Sequence, residues 1–295
     1  VISSFTLVVN AFDPGGPPAA GGIPKIVTGN WEWINYQPTG GSYSPQFEIN
    51  HANVKHLDLN WMFPYTPVES LFPNQQIGSS APPLIVDGVV YVSKNNRAIH
   101  AVDAETGAEV WFSDEQANLW DRSEILAEFP FFQSTWGHTH AMNYYRGMGD
   151  SGWLITSNQP CLLSATNAAD GSIAWSMGVE QLCGTNAEYG NPDEGIVGSF
   201  QSKGRISGQS NHPPQFFGDI MVWPIMGASG GGGRSSVKGF DMSDPSDPQE
   251  LWRTWIMPPM DGSNPEWAID QCAIVDGNGW YFSAPDFFES GTLAI

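Results

Sequence analysis

The sequence predicts an all-β protein, a β-propeller built from four-stranded antiparallel blades. The first observation is residues 81–112, where four apolar runs are separated by turn residues, beginning with Leu84–Val86 and the hairpin dipeptide Asp87–Gly88. The second is repetition, since the ending of this unit, a polar turn followed by a tryptophan, recurs at 164–175 and 239–252. A sheet that is apolar on both faces must pack against copies of itself, so the repeats predict blades arranged around an axis.

The third observation is the spacing inside the first unit. After the hairpin come the runs 89–92 and 98–102, then the polar turn Asp103–Gly107, then a fourth run that contains Trp111. The segment Leu57–Trp61 has the same ending without a full sheet before it, and 280–295 begins another copy. About three and a half blades are therefore predicted. A composition with 33 Gly, 23 Pro and 13 Trp suits short strands joined by tight turns.

The amino-terminal part is predicted to differ from the rest of the chain. Residues 1–12 are apolar and rich in β-branched residues, and 13–22 are rich in Gly and Pro. These features divide the chain into an amino-terminal strand with its linker, residues 1–24, and a partial propeller, residues 25–295. A short strand on a linker can pack locally, or it can add to the sheet edge of a neighbouring chain. Both possibilities stay open.

The charge balance limits the classes of partner. The chain has 31 acidic and 11 basic residues and a net charge of −20. An acidic surface repels phosphate backbones and anionic lipid headgroups, so neither nucleic acid nor an anionic membrane face is an expected partner. No apolar run is long enough to span a bilayer. Together these features predict a periplasmic or extracellular protein.

The three cysteines do not form a recognised metal or haem motif. Cys161 and Cys183 flank one repeat ending and could form a disulfide, and Cys272 would then remain single. Three buried free thiols are an equally open alternative. Without a CxxC or CxxCH sequence, the chain predicts neither a structural zinc nor a c-type haem.

Two other groups of polar residues are weak metal candidates. His138 and His140 alternate at strand spacing, which places both side chains on one face, but no third ligand lies nearby in the sequence. Glu188, Asp193 and Glu194 gather three carboxylates in one loop, yet their spacing matches no EF-hand. A hydrogen-bonded loop pair and a solvated acidic loop are the simpler interpretations.

The order of several motifs resembles the pyrroloquinoline quinone (PQQ)-dependent alcohol dehydrogenases of the methanol dehydrogenase type. With gaps, the resemblance runs from Trp31 to Ile295, and it includes a Gly-rich loop, residues 227–233, similar to the G-x-S-G-G loop of that family. The matching motifs near the start are Tyr43–Pro45, Glu48–Asn50, Asn53–Val54, Leu57, Trp61, Phe63 and Ala81–Tyr91. The resemblance implies a ring of eight blades, with PQQ over the axis and Ca²⁺ bound to the quinone oxygens as a Lewis acid.

Three cofactor positions implied by the resemblance carry different residues in this chain. Ser80 stands where the family has a glutamate that touches the cofactor. The adjacent cysteine pair of the family has no counterpart, because the corresponding stretch is Thr135–His138. Gly232 stands where the family has a calcium-binding glutamate. A dication with fewer anionic ligands binds weakly, so we expect no cofactor bound in the family manner.

Two other implied positions are compatible with the family. Trp267 corresponds to the tryptophan that forms the floor of the cofactor site, although a plain blade aromatic is also consistent. Asp286 corresponds to an asparagine calcium ligand, and a carboxylate there suits a hard cation, although a turn residue is also consistent. The catalytic aspartate of the family would lie beyond residue 295, so the catalytic residues are unknown.

Two functional hypotheses follow from these residues. The first is a secreted quinoprotein-like propeller that lacks most PQQ and calcium ligands and acts as a binding or assembly module. The second is a divergent PQQ- and calcium-dependent alcohol dehydrogenase. Because about half of an eight-bladed ring leaves sheet edges unpaired, we also expect the remaining blades of a longer protein, or another protein chain, as the partner.

Overall fold

The structure is a computed structural model that describes part of the chain. The described residues are 7–8, 29–33, 36, 47–64, 68–69, 76–77, 81–94, 98–115, 142–146, 152–158, 162–177, 214–225, 236–255, 274–275, 280–285 and 290–294. Within these ranges the structure contains one helical element, a single 3-10 turn at Val54–His56. No helix in the described part is long and apolar enough to cross a membrane.

The described part of the chain contains eighteen strands. In chain order they are β1 (Leu7–Val8), β2 (Val68–Glu69), β3 (Gln76–Ile77), β4 (Leu84–Val86), β5 (Val89–Ser93), β6 (Ile99–Asp103), β7 (Glu109–Ser113), β8 (Met142–Tyr145), β9 (Trp153–Asn158), β10 (Leu162–Asn167), β11 (Ile173–Met177), β12 (Gln215–Phe217), β13 (Ile220–Ile225), β14 (Ser236–Asp241), β15 (Gln249–Trp255), β16 (Ile274–Val275), β17 (Trp280–Pro285) and β18 (Ser290–Ala294).

Four four-stranded sheets and one two-stranded sheet, formed by β2 and β3, are present in the described part. Blade one is β4–β7, blade two is β8–β11 and blade three is β12–β15, each a meander of neighbouring antiparallel strands. Blade four has the antiparallel strands β16–β18. Its fourth place is filled by β1, which pairs in parallel with β18. The predicted four-stranded meanders are therefore confirmed, and β1 packs on a sheet of its own chain.

The hairpin of blade one shows why these residues form this structure. Asp87 and Gly88 both have positive φ, 50° and 83°, the conformation that a two-residue turn needs to match the twist of the strands it joins. Leu84 and Val86 point to the buried side of the first strand while Ile85 alternates to the other side. The predicted strands differ from the observed ones by no more than one residue at an end.

The core lies between the blades. One cluster joins blade one to blade two and includes Leu84, Tyr91, Ile99, Met142 and Leu154. A second cluster joins blade two to blade three; it contains Tyr145, Ile155, Leu163, Ala165, Met177, Phe216, Met221, Trp223, Phe240 and Met242. Blade two therefore buries one face against blade one and the other against blade three, which is the packing that repeated two-faced sheets require.

The repeated tryptophans dock blade one onto blade two and blade two onto blade three. Trp111 at the end of blade one donates its indole N–H to the carbonyl of Ala168 in blade two, at 3.0 Å. Trp175 of blade two donates in the same way to Pro245 of blade three, at 2.6 Å. Trp61, which precedes blade one, donates to Ala104 at 2.9 Å. The contact of Trp61 with Ala104 agrees with the prediction that the segment ending at Trp61 contributes a docking residue to the first blade.

Candidate functional site

The meanders give each blade two distinct ends. Because neighbouring strands alternate in direction, the hairpin between the first and second strands and the polar turn between the third and fourth lie together. We call this the turn end; in blade one it contains Asp87, Gly88 and the turn 103–108. The connections between the second and third strands, and those between blades, lie at the opposite end, which we call the loop end.

All four predicted site residues fall in the sequence between described strands. Ser80 precedes β4, Gly232 lies between β13 and β14, Trp267 lies between β15 and β16, and Asp286 follows β17. The four residues lie outside the part of the chain that the structure describes, and their roles stay predictions.

The predicted donor set fits calcium poorly. Of the positions Ser80, Gly232 and Asp286, one supplies a hydroxyl, one supplies no side-chain donor and one supplies a carboxylate. Calcium sites of useful affinity combine several carboxylate and carbonyl oxygens. Within the described ranges no group of three or more His, Cys, Asp or Glu residues could hold a metal ion. We therefore derive no chemical step through a quinone–metal pair.

The other metal and disulfide candidates also lie outside the described part of the chain. These are His138, His140, the carboxylates Glu188, Asp193 and Glu194, and the three cysteines, Cys161, Cys183 and Cys272. Their roles remain predictions.

The described polar cluster with the most contacts lies at the turn end. Arg146, directly after β8, pairs with the buried carboxylate of Glu32 at 2.6 Å and with Asp87 at 3.2 Å. Asn30 donates its side-chain amide to Asp87 at 2.9 Å and to Glu32 at 3.3 Å. Glu32 is buried whereas Arg146 and Asp87 reach solvent. The cluster thus joins a segment before blade one to blades one and two.

The electrostatics of this cluster favour an ionised Asp87. The hydrogen bond from Asn30 is the largest influence on its pKa, burial opposes it, and Arg146 adds a hydrogen bond and a charge. The net effect lowers the pKa of Asp87 below its usual value. The carboxylate is therefore held charged opposite Arg146.

Sequence reasoning did not find this cluster. Glu32 and Arg146 are 114 residues apart, and Arg146 follows the strand of a different blade. Charge pairing at such a separation depends on which blades become neighbours. The signal that was available is the unusual position of Glu32 between Trp31 and Trp33, since a carboxylate between two large apolar residues needs a partner if the segment is buried.

Further polar groups are buried between blades two and three. Asn143 donates its amide to the carbonyl of Pro214 at 2.6 Å, and the hydroxyl of Tyr145 lies 3.1 Å from a carboxylate oxygen of Asp219. Burial is the main cause that raises the pKa of Tyr145, and the nearby Asp219 carboxylate adds to it. Tyr145 therefore stays protonated and donates to Asp219. In blade three, Lys238 pairs with Glu250.

A comparison with protein families matches the chain to one family. The family described as "Glucose/ethanol/alcohol dehydrogenase, beta-propeller domain", which bears the name PQQ, matches residues 31–195. These residues include blades one and two and the segment before them. The match begins at Trp31, where the resemblance in motif order also begins.

Curated relatives match either a short stretch of the chain at higher identity or a long stretch at lower identity. The quinohemoprotein alcohol dehydrogenase of Comamonas testosteroni is 35% identical over 89 residues, which are 30% of this chain and 11% of that protein. Lupanine 17-hydroxylase [cytochrome c] of a Pseudomonas species is 24% identical over 233 residues, 79% of this chain and 27% of that protein. The chain thus spans well under half of the length of these relatives.

A solved structure shows the same architecture. The crystal structure of quinohemoprotein alcohol dehydrogenase from Comamonas testosteroni aligns with a TM-score of 0.57 at 20% sequence identity. The alignment covers 88% of this chain and 36% of that one. At this identity the likeness concerns the fold, and it confirms the predicted β-propeller class.

Proposed function

The chain belongs to the glucose/ethanol/alcohol dehydrogenase β-propeller family, and we propose that within this family it is a binding or assembly module that does not hold PQQ and calcium in the family manner. The observation that carries the proposal is the residue present at each ligand position: Ser80, Thr135–His138 and Gly232. None of these supplies the carboxylate or the adjacent cysteine pair that the resemblance implies.

The physical reason concerns both parts of the cofactor site. A calcium ion that loses a glutamate loses an anionic ligand, and sites with few carboxylates bind only at about millimolar concentrations. A quinone sandwiched between a tryptophan and a disulfide would keep only one of its two covers, because 135–138 contains no cysteine. The missing glutamate weakens the binding of calcium, and the missing cysteine pair weakens the binding of the quinone. Both changes therefore weaken the binding of the cofactor pair.

A binding role is supported by an apolar surface at the beginning of the propeller. Residues 47–62 expose large apolar side chains, among them Phe47 (78% exposed), Leu59 (80%) and Met62 (76%). Isolated exposed apolar residues are common, but a series of them within one segment marks an interaction surface. We propose that the surface is covered by further propeller blades of the same protein or by another protein chain.

The surroundings that we propose are periplasmic or extracellular. The net charge of −20 supports this setting, because a strongly acidic surface keeps a protein soluble and disfavours nucleic acids and anionic membranes as partners.

A second candidate is a PQQ- and calcium-dependent alcohol dehydrogenase that has diverged from its relatives. Trp267 and Asp286 favour it, because both are compatible with the positions they would occupy in the family. The printed names of the relatives also favour it, since they are alcohol dehydrogenases and a hydroxylase that uses cytochrome c.

The test is a titration of the full-length protein with PQQ in the presence of calcium. We expect no saturable binding at micromolar quinone by calorimetry or absorbance, and no dye-linked alcohol oxidation. Stoichiometric binding together with calcium-dependent oxidation would overturn the proposal, and loss of both in Asp286→Ala and Trp267→Phe would establish the dehydrogenase. Gly232→Glu is the matched gain-of-ligand variant, and it should raise the affinity for calcium if the site is otherwise intact.

A further inference from the structure

A short segment before blade one lies along the inner edges of two blades. We name residues 29–33 together with Tyr36 the axial strap. Trp31 exchanges backbone hydrogen bonds with Ile85 on β4, at 2.6 and 3.0 Å, and the carbonyl of Glu32 accepts from the N–H of Tyr144 on β8 at 2.9 Å. First strands of neighbouring blades contact one another, β4 with β8 and β12 with β16, so these edges converge on the propeller axis.

The first part of the axial strap is held by polar contacts that come from both blades. Blade one contributes Asp87, whose backbone N–H donates to Asn30 and whose carboxylate accepts from it. Blade two contributes Arg146, which pairs with Glu32. Because Glu32 is 2% exposed, loss of the Arg146 cation would leave a buried carboxylate without its partner, which is strongly unfavourable.

The second part of the axial strap carries unfavourable features. The indole N–H of Trp33 and the hydroxyl of Tyr36 are buried and have no hydrogen-bond partner among the residues that the structure describes. Tyr36 also has a φ of 67°. Positive φ is uncommon for residues other than glycine, and it is especially unfavourable for a bulky side chain. The buried, unpaired polar groups and the positive φ both raise the free energy of the seated strap, and both would be relieved if the strap moved away from the blade edges.

We propose that the axial strap is a two-state latch, seated on the inner edges only when blades one and two are docked together. The favourable contacts of Glu32 with Arg146 and of Asn30 with Asp87 oppose the unfavourable burial of Trp33 and Tyr36. Such a balance between two discrete arrangements is what a bistable element requires. Release would uncover the backbone groups of Ile85 and Tyr144 at the axis. This inference does not depend on the proposed function.

The latch predicts which amide protons lose protection together. In native-state hydrogen exchange of the full-length protein, Glu32→Gln should speed exchange at the amides of Trp31, Ile85 and Tyr144 by about tenfold or more. The amide of Met242, which donates to Asp219 in blade three, should not change. Glu250→Gln is the matched control, because it breaks a different ion pair, that with Lys238, and should leave the three strap-dependent amides unchanged.

The order of effects separates a latch from a general loss of stability. Arg146→Met should release the axial strap more than Glu32→Gln, because it leaves a buried charge without its partner. The double variant should release it less than the sum of the two single variants. Tyr36→Phe keeps the ring that contacts Trp31 at 5.1 Å but removes the unpaired hydroxyl, so it should slow exchange at the same three amides below the wild-type rate.

The outcomes are distinct. Selective acceleration by Glu32→Gln with slowing by Tyr36→Phe supports the latch. Equal acceleration at Met242 and at the three strap-dependent amides would show a general destabilisation and overturn it, as would faster exchange in Tyr36→Phe. Should Arg146→Met fail to fold, Asp87→Asn tests the same anchor at an exposed position. Unchanged exchange in both Asp87→Asn and Glu32→Gln would also overturn the latch.

Discussion

The two faces of blade one are covered in different ways. The face toward blade two buries Leu84, Tyr91 and Ala101 in a continuous apolar cluster. On the opposite face Ile85 is 38% exposed and Phe112 is 47% exposed. There the cover comes from single side chains such as Phe63, whose ring contacts that of His100 at 5.2 Å. A sheet that meets another sheet is buried completely, whereas a sheet that meets an extended segment is not.

This difference says where stability and where association should reside. Burial of apolar area stabilises a fold by about 25 cal/mol per Å². The apolar side chains on the face toward blade two are already buried and therefore already contribute to stability. The opposite face keeps apolar area that another blade or chain can still bury. We therefore expect substitutions on the first face to lower the free energy of unfolding, and substitutions on the second to affect contacts with a partner.

The largest effect is expected from truncation of a side chain on the covered face. Leu84 is fully buried, so Leu84→Ala should lower the free energy of unfolding by about 3 kcal/mol. The neighbouring Ile85→Ala, on the exposed face, should lower it by about 1 kcal/mol or less. Urea unfolding of both variants measures the difference. Equal losses would mean that the second face is also buried in solution.

The next effect is expected where a tryptophan docks on a glycine. Gly171 has a φ of 79°, and a Cβ there would lie 2.7 Å from the indole of Trp111. Gly171→Ala should therefore lower the free energy of unfolding by about 2 kcal/mol, through both backbone strain and displacement of the indole.

Gly88→Ala is the control that separates the two causes. Its φ of 83° is similar, but nothing lies within 4 Å of a Cβ built there, so it should show the backbone contribution alone, about 1 kcal/mol. Unfolding midpoints for both variants give the comparison. If the two losses are equal, the close approach of Trp111 contributes nothing to the packing of blade one on blade two.

The docked faces are also the part of the fold that the sequence predicts best. The dipeptide Asp87–Gly88 and the turn 103–107 fix strand boundaries because their residues favour positive φ or accept backbone hydrogen bonds locally. The tryptophan at each repeat ending then identifies the neighbour. These signals are local or repeated, so no knowledge of the tertiary structure was needed to interpret them.

Contacts that do not repeat were not predicted. The pairing of Glu32 with Arg146 joins two segments that are far apart in the chain. The parallel pairing of β1 with β18 joins the first and the last strand of the described part. The cofactor positions Ser80, Gly232, Trp267 and Asp286 were assigned by resemblance, and they lie in connecting segments whose length is not fixed by the repeat. The framework of the site could thus be predicted, but its side-chain arrangement could not.

A smaller effect should appear in the pH dependence of stability. The pKa of Asp87 is lower in the folded protein, so ionised Asp87 stabilises the fold above its unfolded pKa of about 3.9, and this contribution is lost as the pH falls through the folded pKa. Because Asp87 is well exposed, the contribution at neutral pH should be under about 1 kcal/mol.

Asp87→Asn tests this contribution directly. Between about pH 4 and pH 2 the stability of the variant should fall less steeply than that of the wild type, since one depressed carboxyl pKa has been removed. Chemical unfolding at several pH values measures the slope. A slope that is unchanged, or one that is steeper in Asp87→Asn, would contradict the assigned role of Asn30 and Arg146 in holding the carboxylate charged.

The smallest effect on folding should come from the exposed apolar surface, where the interest lies in association. Leu59 is 80% exposed, so Leu59→Ser should change the free energy of unfolding by less than about 0.5 kcal/mol. If residues 47–62 contact another chain, the same variant should weaken self-association or partner binding of the full-length protein in sedimentation experiments. Leu251→Ser, on the outer strand of blade three and 38% exposed, is the matched control and should leave association unchanged. A full-length protein in which Leu59→Ser lowers the free energy of unfolding by several kcal/mol, equally at every protein concentration, instead has this surface buried by its own further blades, because stabilisation by a separate chain depends on the concentration of that chain.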